Sequence, residues 1–270
     1  ISYQWNSAPE LSATNIPNPT VINPLVTTPY IVTVTDGNGC NATDAVVVNV
    51  SPLPIAVAGN DQIVCNGSSA SLMASGGVSF LWSPSSTLND TDIFNPIALP
   101  TVNTTYTVTV TNAAGCTDDD YVTVTIAPLP VVAFNPDTLN GCEPLFVNFS
   151  DQSLTSIMEW SWIFGDPTSG ASNFSSMQNP SHNFENAGSY TITLSVINSN
   201  NCTDTLTQPF LINVYPIPVA NFKMDPLQGT IIFNPTINFT DLSSHADLWE
   251  WDFGEPSSNA FNFSALKNPS

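Results

Sequence analysis

The chain is 270 residues long, and its 22 aspartates and glutamates outnumber two lysines to give a formal net charge of −20. A surface of that sign repels the phosphates of nucleic acids and of anionic membranes, so we expect no nucleic-acid partner. No apolar run approaches the roughly 20 residues of a membrane span, which predicts no direct membrane insertion of this segment. Abundant Thr, Val, Asn, Ser and Pro, without helical periodicity, predict an all-β extracellular protein.

Residues 1–51 are predicted to form the later part of a first β-module. Tyr3 and Trp5 share one face of its first strand, because side chains two residues apart lie on the same side. Over residues 30–40 a second strand alternates apolar and polar side chains and runs through a turn into a cysteine. The Ala-Val-Val-Val run at 45–48 predicts a buried strand that closes the module.

Residues 52–127 are predicted to be a complete second module. The segment begins with a Pro-Leu-Pro joint at 52–54 and has an aromatic-x-Trp pair at Phe80 and Trp82. The strand, turn and cysteine recur over residues 106–116. Short strands separated by Gly, Pro and Asn turns at this spacing indicate a β-sandwich.

Residues 128–215 and 216–270 repeat the pattern, the second of them in part. Each begins with a Pro-x-Pro joint, and each contains an aromatic-x-Trp pair, ending at Trp162 and Trp251 respectively. Proline fixes φ and lacks an amide donor, so the joints are expected to be short and stiff. Stiff joints favour a linear array of modules over a loose tether.

Three motifs follow one another in the third module. They are Trp162-Ile163-Phe164-Gly165-Asp166, Asn179-Pro180-Ser181-His182-Asn183-Phe184 and Gly188-Ser189-Tyr190-Thr191-Ile192. Residues 251–255 repeat the first motif in the fourth module. On these motifs, modules three and four resemble PKD (polycystic kidney disease) domains, which implies immunoglobulin-like β-sandwiches. Phe184 stands where that family usually has tyrosine, and Glu255 where it usually has aspartate.

Modules one and two are similar to immunoglobulin-like repeats in giant surface proteins of the Bacteroidetes, among them gliding-motility adhesins and other proteins exported by the type IX route. The resemblance implies a secreted or cell-surface location and a non-catalytic stalk or filament in adhesion or gliding. The implied partners are other copies or repeats of the same protein, surface glycans or cell-surface proteins. Carbohydrate-binding accessory modules of a secreted polysaccharide-degrading enzyme are the alternative. The sequence has no nucleophile elbow, phosphate-binding loop or zinc-protease helix.

Each cysteine occupies one of two positions in its module. The early cysteines, which precede the aromatic-x-Trp pair, are Cys65 and Cys142, and the late cysteines, which follow the repeated strand, are Cys40, Cys116 and Cys202. In a turn-rich β protein this arrangement predicts an oxidising compartment and the disulfides Cys65–Cys116 and Cys142–Cys202. Module four has Ile232 at the early position, which predicts that it lacks the bridge. Reduced or metal-bound thiols are the alternative, although no zinc-type cluster of Cys and His is present.

Two sets of side chains admit a binding role. Asp118, Asp119 and Asp120, and Asp166 of the Gly-Asp turn, lie in predicted acid-rich turns that could bind calcium, with solvated loops as the alternative. The tryptophans are predicted to fill the module cores, with an exposed sugar-stacking platform as the alternative. His182 is predicted to pack a loop.

Overall fold

The computed structural model describes residues 1–225, 236–254 and 262–270, and this part of the chain consists of β-strands and connecting segments with one short 3-10 helix. The chain divides into two units, Ile1–Ala127 and Pro128–Ser270. The predicted fold class is confirmed, since the protein is all-β and consists of tandem immunoglobulin-like β-sandwich domains. Nowhere in the described residues is there a helix with the length and apolar character needed to cross a membrane.

Module one forms one antiparallel sheet. Its strands are β1 (Ser2–Trp5), β2 (Thr28–Thr35) and β3 (Asn41–Val48). The central strand β2 pairs with both neighbours, and Tyr30 on it is buried. The prediction of a buried strand over residues 45–48 is wrong in its burial: β3 is a strand, but Val46 and Val47 are each 53% exposed. The described residues of this module supply no second sheet to cover them.

Module two is a two-layered sandwich. Its strands are β4 (Gln62–Cys65), β5 (Ala70–Ser71), β6 (Ser79–Ser83), β7 (Ile97–Ala98), β8 (Thr104–Thr111) and β9 (Thr117–Ala127). One layer has the order β4-β9-β8-β6, with β4 parallel to β9, and the other is the pair β5-β7. The predicted alternation of β8 is confirmed, because Tyr106, Val108 and Val110 are fully buried in the core with Trp82.

Module three is a larger sandwich of the same kind. Its strands are β10 (Phe134–Pro136), β11 (Asn140–Cys142), β12 (Leu145–Asp151), β13 (Ile157–Ile163), β14 (Phe174–Ser175), β15 (Ser181–Phe184), β16 (Gly188–Asn198) and β17 (Thr203–Tyr215). The layers have the orders β10-β12-β15 and β11-β17-β16-β13-β14, and a 3-10 helix spans Pro167–Asn173. Trp162, Phe149, Ile192 and Leu194 are buried in its core.

The described part of module four repeats the first half of module three. Its strands are β18 (Phe222–Asp225), β19 (Asn238–Asp241), β20 (Trp251–Asp252) and β21 (Phe263–Ser264). Phe222 and Phe239 pack against Trp251 at ring-centroid distances of 5.4 and 5.7 Å, close to the 5.2 and 5.6 Å of the corresponding rings in module three. The predictions for Ile232 and Glu255 lie outside the described residues.

Candidate functional site at the module joints

The Trp-x-Phe-Gly-Asp motif of module three is a buried turn. Trp162 and Phe164 are 0% and 1% exposed and point into the core. Gly165 follows with a φ of +70°, and a Cβ built on it would lie 2.4 Å from the carbonyl oxygen of Thr191. Glycine alone accepts both the positive φ and this close approach of a neighbouring backbone. The motif therefore shapes the core of the module.

Asp166 and His182 form a buried pair behind this turn. His182 Nε2 lies 3.1 Å from Asp166 Oδ2, and both side chains are 2% exposed. Burial raises the pKa of the Asp166 carboxyl, but hydrogen bonds from Thr168 and His182 and the charge of His182 outweigh this effect, so that its pKa lies below the ordinary value. The His182 ring stacks on Phe164 with centroids 4.5 Å apart. His182 thus packs the loop, as predicted. The Asp166 carboxylate already accepts hydrogen bonds from Thr168 and His182.

The tryptophan that ends each aromatic-x-Trp pair donates its indole N–H to a backbone carbonyl of the loop that follows. The donor and acceptor residues are Trp5 and Ile16 (2.9 Å), Trp82 and Ile93 (3.0 Å), Trp162 and Met177 (2.9 Å), and Trp251 and Leu266 (2.8 Å). Trp82 and Trp162 are 2% and 0% exposed. The core prediction is confirmed for these two rings, which rules them out as a surface for stacking sugars.

Asp118, Asp119 and Asp120 lie on strand β9, so their predicted placement in a turn is wrong. Asp118 Oδ2 accepts a hydrogen bond from the Ala56 N–H at 2.9 Å, and Asp120 Oδ2 accepts one from the Ala58 N–H at 2.8 Å. Asp119 alternates to the opposite face of the strand. Two of the carboxylates thus hold the segment that follows the first joint. The described residues contain no group of three or more His, Cys, Asp or Glu side chains placed to hold a metal ion.

In modules two and three the turn before the late cysteine is tied to the joint that begins the same module. Asn112 Oδ1 accepts the backbone N–H of Cys116 at 3.0 Å, and Asn112 Nδ2 donates to the carbonyl oxygen of Pro52 at 2.8 Å. In module three Asn198 repeats both roles, and its Nδ2 donates to the carbonyl oxygen of Pro128 at 3.0 Å. One asparagine in each of modules two and three therefore caps a turn and anchors a proline joint.

Module one has Asp36 at the corresponding position. Asp36 Oδ1 accepts the backbone N–H groups of Asn38 and Cys40 at 2.8 and 2.9 Å. These hydrogen bonds hold the pKa of the Asp36 carboxyl below its ordinary value. A carboxylate thus builds the same turn, but only an amide can also donate to a proline carbonyl.

The joint between modules three and four is held by Glu143. Its Oε1 accepts the backbone N–H of Ile217 at 3.3 Å, and its Oε2 accepts the N–H of Ala187 at 2.5 Å. The backbone N–H of Glu143 donates to the carbonyl oxygen of Tyr215 at 2.9 Å. Glu143 therefore connects the last strand of module three to the middle residue of the Pro-Ile-Pro segment.

The predicted disulfide pairs are wrong. The free thiols are those of Cys40, Cys116 and Cys142, and the disulfide-bonded cysteines are Cys65 and Cys202. In module two, Cys65 pairs in register with Ala127 at the end of β9, whereas Cys116 directly precedes the start of β9. This strand has 11 residues and at about 3.4 Å per residue separates the two cysteines by roughly 35 Å. A disulfide requires Cα atoms within about 7 Å.

Module three separates its cysteines in the same way. Cys142 pairs in register with Tyr215 at the end of β17, and Cys202 directly precedes the start of that strand. The 13 residues of β17 place them roughly 40 Å apart. In both complete modules the early cysteine therefore lies at the C-terminal end and the late cysteine at the N-terminal end.

Sequence reasoning missed the side chains that hold the joints. They are Asn112, Asn198, Glu143, Asp118 and Asp120. For the asparagines a signal was present, because each late cysteine is preceded by Asn or Asp four residues earlier. Such spacing is typical of a side chain that caps a turn through its own oxygen. The glutamate and the two aspartates give no comparable signal, since the backbone N–H groups that donate to them come from distant parts of the chain.

The fold and the buried turn define a class of protein, tandem immunoglobulin-like β-sandwiches with a PKD-type module. Residues 127–214, about one third of the chain, match the PKD domain family. A search of curated proteins finds no match. PKD and immunoglobulin-like domains are typically extracellular or surface-exposed modules with adhesive or structural roles, and they are generally non-catalytic.

Solved structures of such domains are similar to this chain. The PKD1 domain of Vibrio anguillarum Epp is 27% identical, with a TM-score of 0.27 and coverage of 32% of this chain and 96% of that one. The PKD1 domain of the Vibrio cholerae metalloprotease PrtV is 26% identical, with a TM-score of 0.27 and coverage of 32% of this chain and 98% of that one. The N-terminal eight immunoglobulin domains of Down syndrome cell adhesion molecule are 14% identical, with a TM-score of 0.47 and coverage of 83% of this chain and 32% of that one.

Proposed function

We propose that this chain is a non-catalytic structural or adhesive repeat segment, a stalk or filament, of a large secreted or surface-anchored bacterial protein. The observation that carries the proposal is the hydrogen bonding of the joints. Asn112 and Asn198 anchor the first proline of the joints at 52–54 and 128–130, and Glu143 anchors the third joint. The polar side chains repeated between modules thus serve the core and the joints, whereas an enzyme gathers such groups in a cleft.

A joint that side chains of the following module hold at its start and just after its end suits the transmission of tension. Proline restricts the backbone of the joint itself. Asn112 fixes its start in module two, and Asp118 and Asp120 fix the residues just after it. A net charge of −20 opposes lateral clumping of such segments. Disulfide-bonded cysteines support an oxidising, extracytoplasmic location.

The Asn198→Asp variant tests this proposal. Aspartate keeps the oxygen that caps the turn, as Asp36 does in module one, but it cannot donate to the carbonyl of Pro128. We expect the variant to keep its melting temperature but to show faster backbone hydrogen exchange around the joint at 128–130, because the joint loses its anchor. Pro17→Gly, an exposed proline outside the joints, is the control. Identical exchange around the joint in wild type and Asn198→Asp would contradict the proposal.

A second candidate function, carbohydrate binding, is favoured by exposed apolar side chains at matching positions of two modules. Phe174 and Met177 in module three are 59% and 65% exposed, and their counterparts Phe263 and Leu266 in module four are 56% and 66% exposed. In module three a groove beside these side chains is also lined by Phe146, which is 57% exposed. Exposed aromatic faces are the surfaces on which sugar rings stack.

A glycan array distinguishes the two functions. If the exposed phenylalanines bind sugars, the wild-type chain binds a defined set of polysaccharides, and Phe174→Ala weakens that binding by about tenfold, equivalent to one stacking contact of about 1.4 kcal/mol. Tyr121→Ala is the matched control, because Tyr121 is 65% exposed on module two. The absence of glycan binding by the wild-type chain, or equal losses in both variants, leaves the structural role alone.

A further inference from the structure

The smaller layer of module two consists of the pair β5-β7 and the segments that continue it. Three neighbouring segments, 55–59, 70–75 and 94–99, alternate buried and exposed side chains. Backbone hydrogen bonds of 2.7 to 3.1 Å join the middle segment to each of the other two. The buried side chains of the layer face the core of the module, and they are Ala56, Ala58, Ala70, Leu72, Ala74 and Ala98.

The exposed side of this layer is apolar. Its large side chains are between 44% and 65% exposed, and we call them the outer face: Val57, Met73, Ile97 and Leu99. Ile97 lies opposite Ser71, which places Met73 diagonally across from Ile97. Val57 pairs with Ser75 and is diagonal to Met73 on the other side. Diagonal neighbours on one face of a sheet lie about 7–8 Å apart, within reach of long side chains, so the outer face is one continuous band.

The outer face is uncharged in a chain whose net charge is −20. The segments 55–59, 70–75 and 94–99 contain no Asp, Glu or Lys, and no charged residue lies between Asp61 and Asp90 in the sequence. Most exposed apolar side chains of a folded protein stand singly among polar ones, whereas a continuous apolar patch marks an interaction site. The outer face has the character of such a patch.

The corresponding layer of module three shows that the fold does not require apolar side chains on this side. Strands β10, β12 and β15 also alternate buried and outward-facing side chains, but most of the outward-facing ones are polar, namely Asn135, Asn148, Ser150, Ser181 and Asn183. Phe146 is the exception and lines the groove described above. Because the inward-facing side chains alone build the core, the apolar outer face of module two has no role in the folding of its own module.

We propose that the outer face of module two is a lateral docking surface for a second copy of this chain. A partner of opposite charge is attracted to carboxylates, and the outer face has none to offer. A second copy has the same net charge of −20, so repulsion favours contact through the uncharged face of each copy. Two apolar sheet faces pack about 10 Å apart, as the layers of a sandwich do. The inference rests on the proposed structural role, to which it adds a partner.

The size of the face and the charge of the chain determine how strong this association is. A stable interface buries about 800 Å² on each partner, whereas an apolar patch of this kind covers on the order of a few hundred Å². We therefore expect weak association of single copies. Salt should strengthen it, because the Debye length falls from about 30 Å at 0.01 M salt to about 8 Å at 0.15 M and screens the repulsion between the two chains. Association through opposite charges would show the reverse dependence on salt.

Sedimentation velocity of the full chain tests the proposal, with the free thiols alkylated so that they form no disulfide dimers. At about 0.15 M NaCl the weight-average sedimentation coefficient of the wild-type chain should rise with protein concentration, and at about 0.01 M it should rise less. Met73→Asp should weaken dimerisation by about 100-fold, because a symmetric contact brings two added carboxylates together. Ile97→Asp is a second variant with the same expectation. Met158→Asp in module three is the matched control, since Met158 is 65% exposed, as Met73 is.

The melting temperature of each variant checks that its fold is intact, and it should stay near the wild-type value because the three replaced side chains are exposed. A sedimentation coefficient that is independent of concentration at both salt concentrations would overturn the proposal and leave the outer face to a partner of another sequence. Equal weakening by Met73→Asp and Met158→Asp, or stronger association at the lower salt concentration, would also overturn it. These outcomes leave the hydrogen-exchange test of Asn198→Asp untouched, so failure of the docking surface and failure of the structural role are distinguishable.

Discussion

Replacement of Cys65 by serine is expected to destabilise module two strongly. Cys65 is disulfide-bonded, so the serine variant removes a covalent crosslink that holds this residue. The loss of a native disulfide typically costs about 2–5 kcal/mol of stability, and about 4 kcal/mol is taken here. This is a large part of the roughly 5–15 kcal/mol that holds a typical domain together.

Guanidinium chloride titration followed by tryptophan fluorescence measures the effect, because Trp82 is buried in the module two core. For a denaturant slope of about 2–4 kcal/mol/M, a loss of 4 kcal/mol lowers the midpoint of the transition by roughly 1–2 M. The matched control is Cys116→Ser in the same module, which removes a free thiol and breaks no disulfide. Equal midpoints for Cys65→Ser and Cys116→Ser would refute the reasoning.

Three further predictions concern the turn of module three and strand β9. Gly165→Ala should lower the free energy of unfolding by about 2–4 kcal/mol, because a Cβ at this position clashes with the backbone of Thr191. Gly170 also has a positive φ, but a Cβ built on it meets no atom within 4 Å, so Gly170→Ala should cost only about 1 kcal/mol. Equal losses of stability in thermal denaturation would contradict the steric argument. Because the folded-state pKa of Asp166 is lowered, its stabilisation is present above the unfolded value near 4 and is lost as the pH falls through the folded value. Asp166→Asn should therefore flatten the decline in melting temperature below about pH 4, and an unchanged decline would count against this role. Asp120→Ala should destabilise module two by about 1–3 kcal/mol, because it leaves the backbone N–H of Ala58 unpaired. Asp119→Ala, on the exposed face of the same strand, should change the stability very little, and urea titration of both variants measures the difference.

The sequence predicted the strands and the cores well, because both depend on local periodicity. The alternation of residues 104–111 placed Tyr106 and Val108 on one face, and both are buried. The aromatic-x-Trp spacing placed Trp82 and Trp162 in the cores for the same reason. In a two-layered sandwich each strand has one face covered by the other layer, so a period-2 pattern predicts which side chains are buried.

The predictions that failed depended on long-range strand order. An early and a late cysteine in one module look like a pair in the sequence. However, β4 runs parallel to β9, so that Cys65 lies beside Ala127 and far from Cys116. Strand direction is set by pairing between segments about 60 residues apart, which local spacing does not encode. The reading of Asp118–Asp120 as a turn failed similarly, because the partners of these carboxylates are backbone groups of a distant segment.

The central claim, that the chain is a structural segment that carries tension, is tested most directly by single-molecule force spectroscopy with the chain held at its two ends under reducing conditions. Modules two and three each have a core of their own, so the account predicts that they unfold under load in two separate steps. With about 76 and about 88 residues at a maximum of about 3.6 Å each, the two steps lengthen the chain by at most roughly 270 and 320 Å. Gradual extension without separate steps would contradict the account.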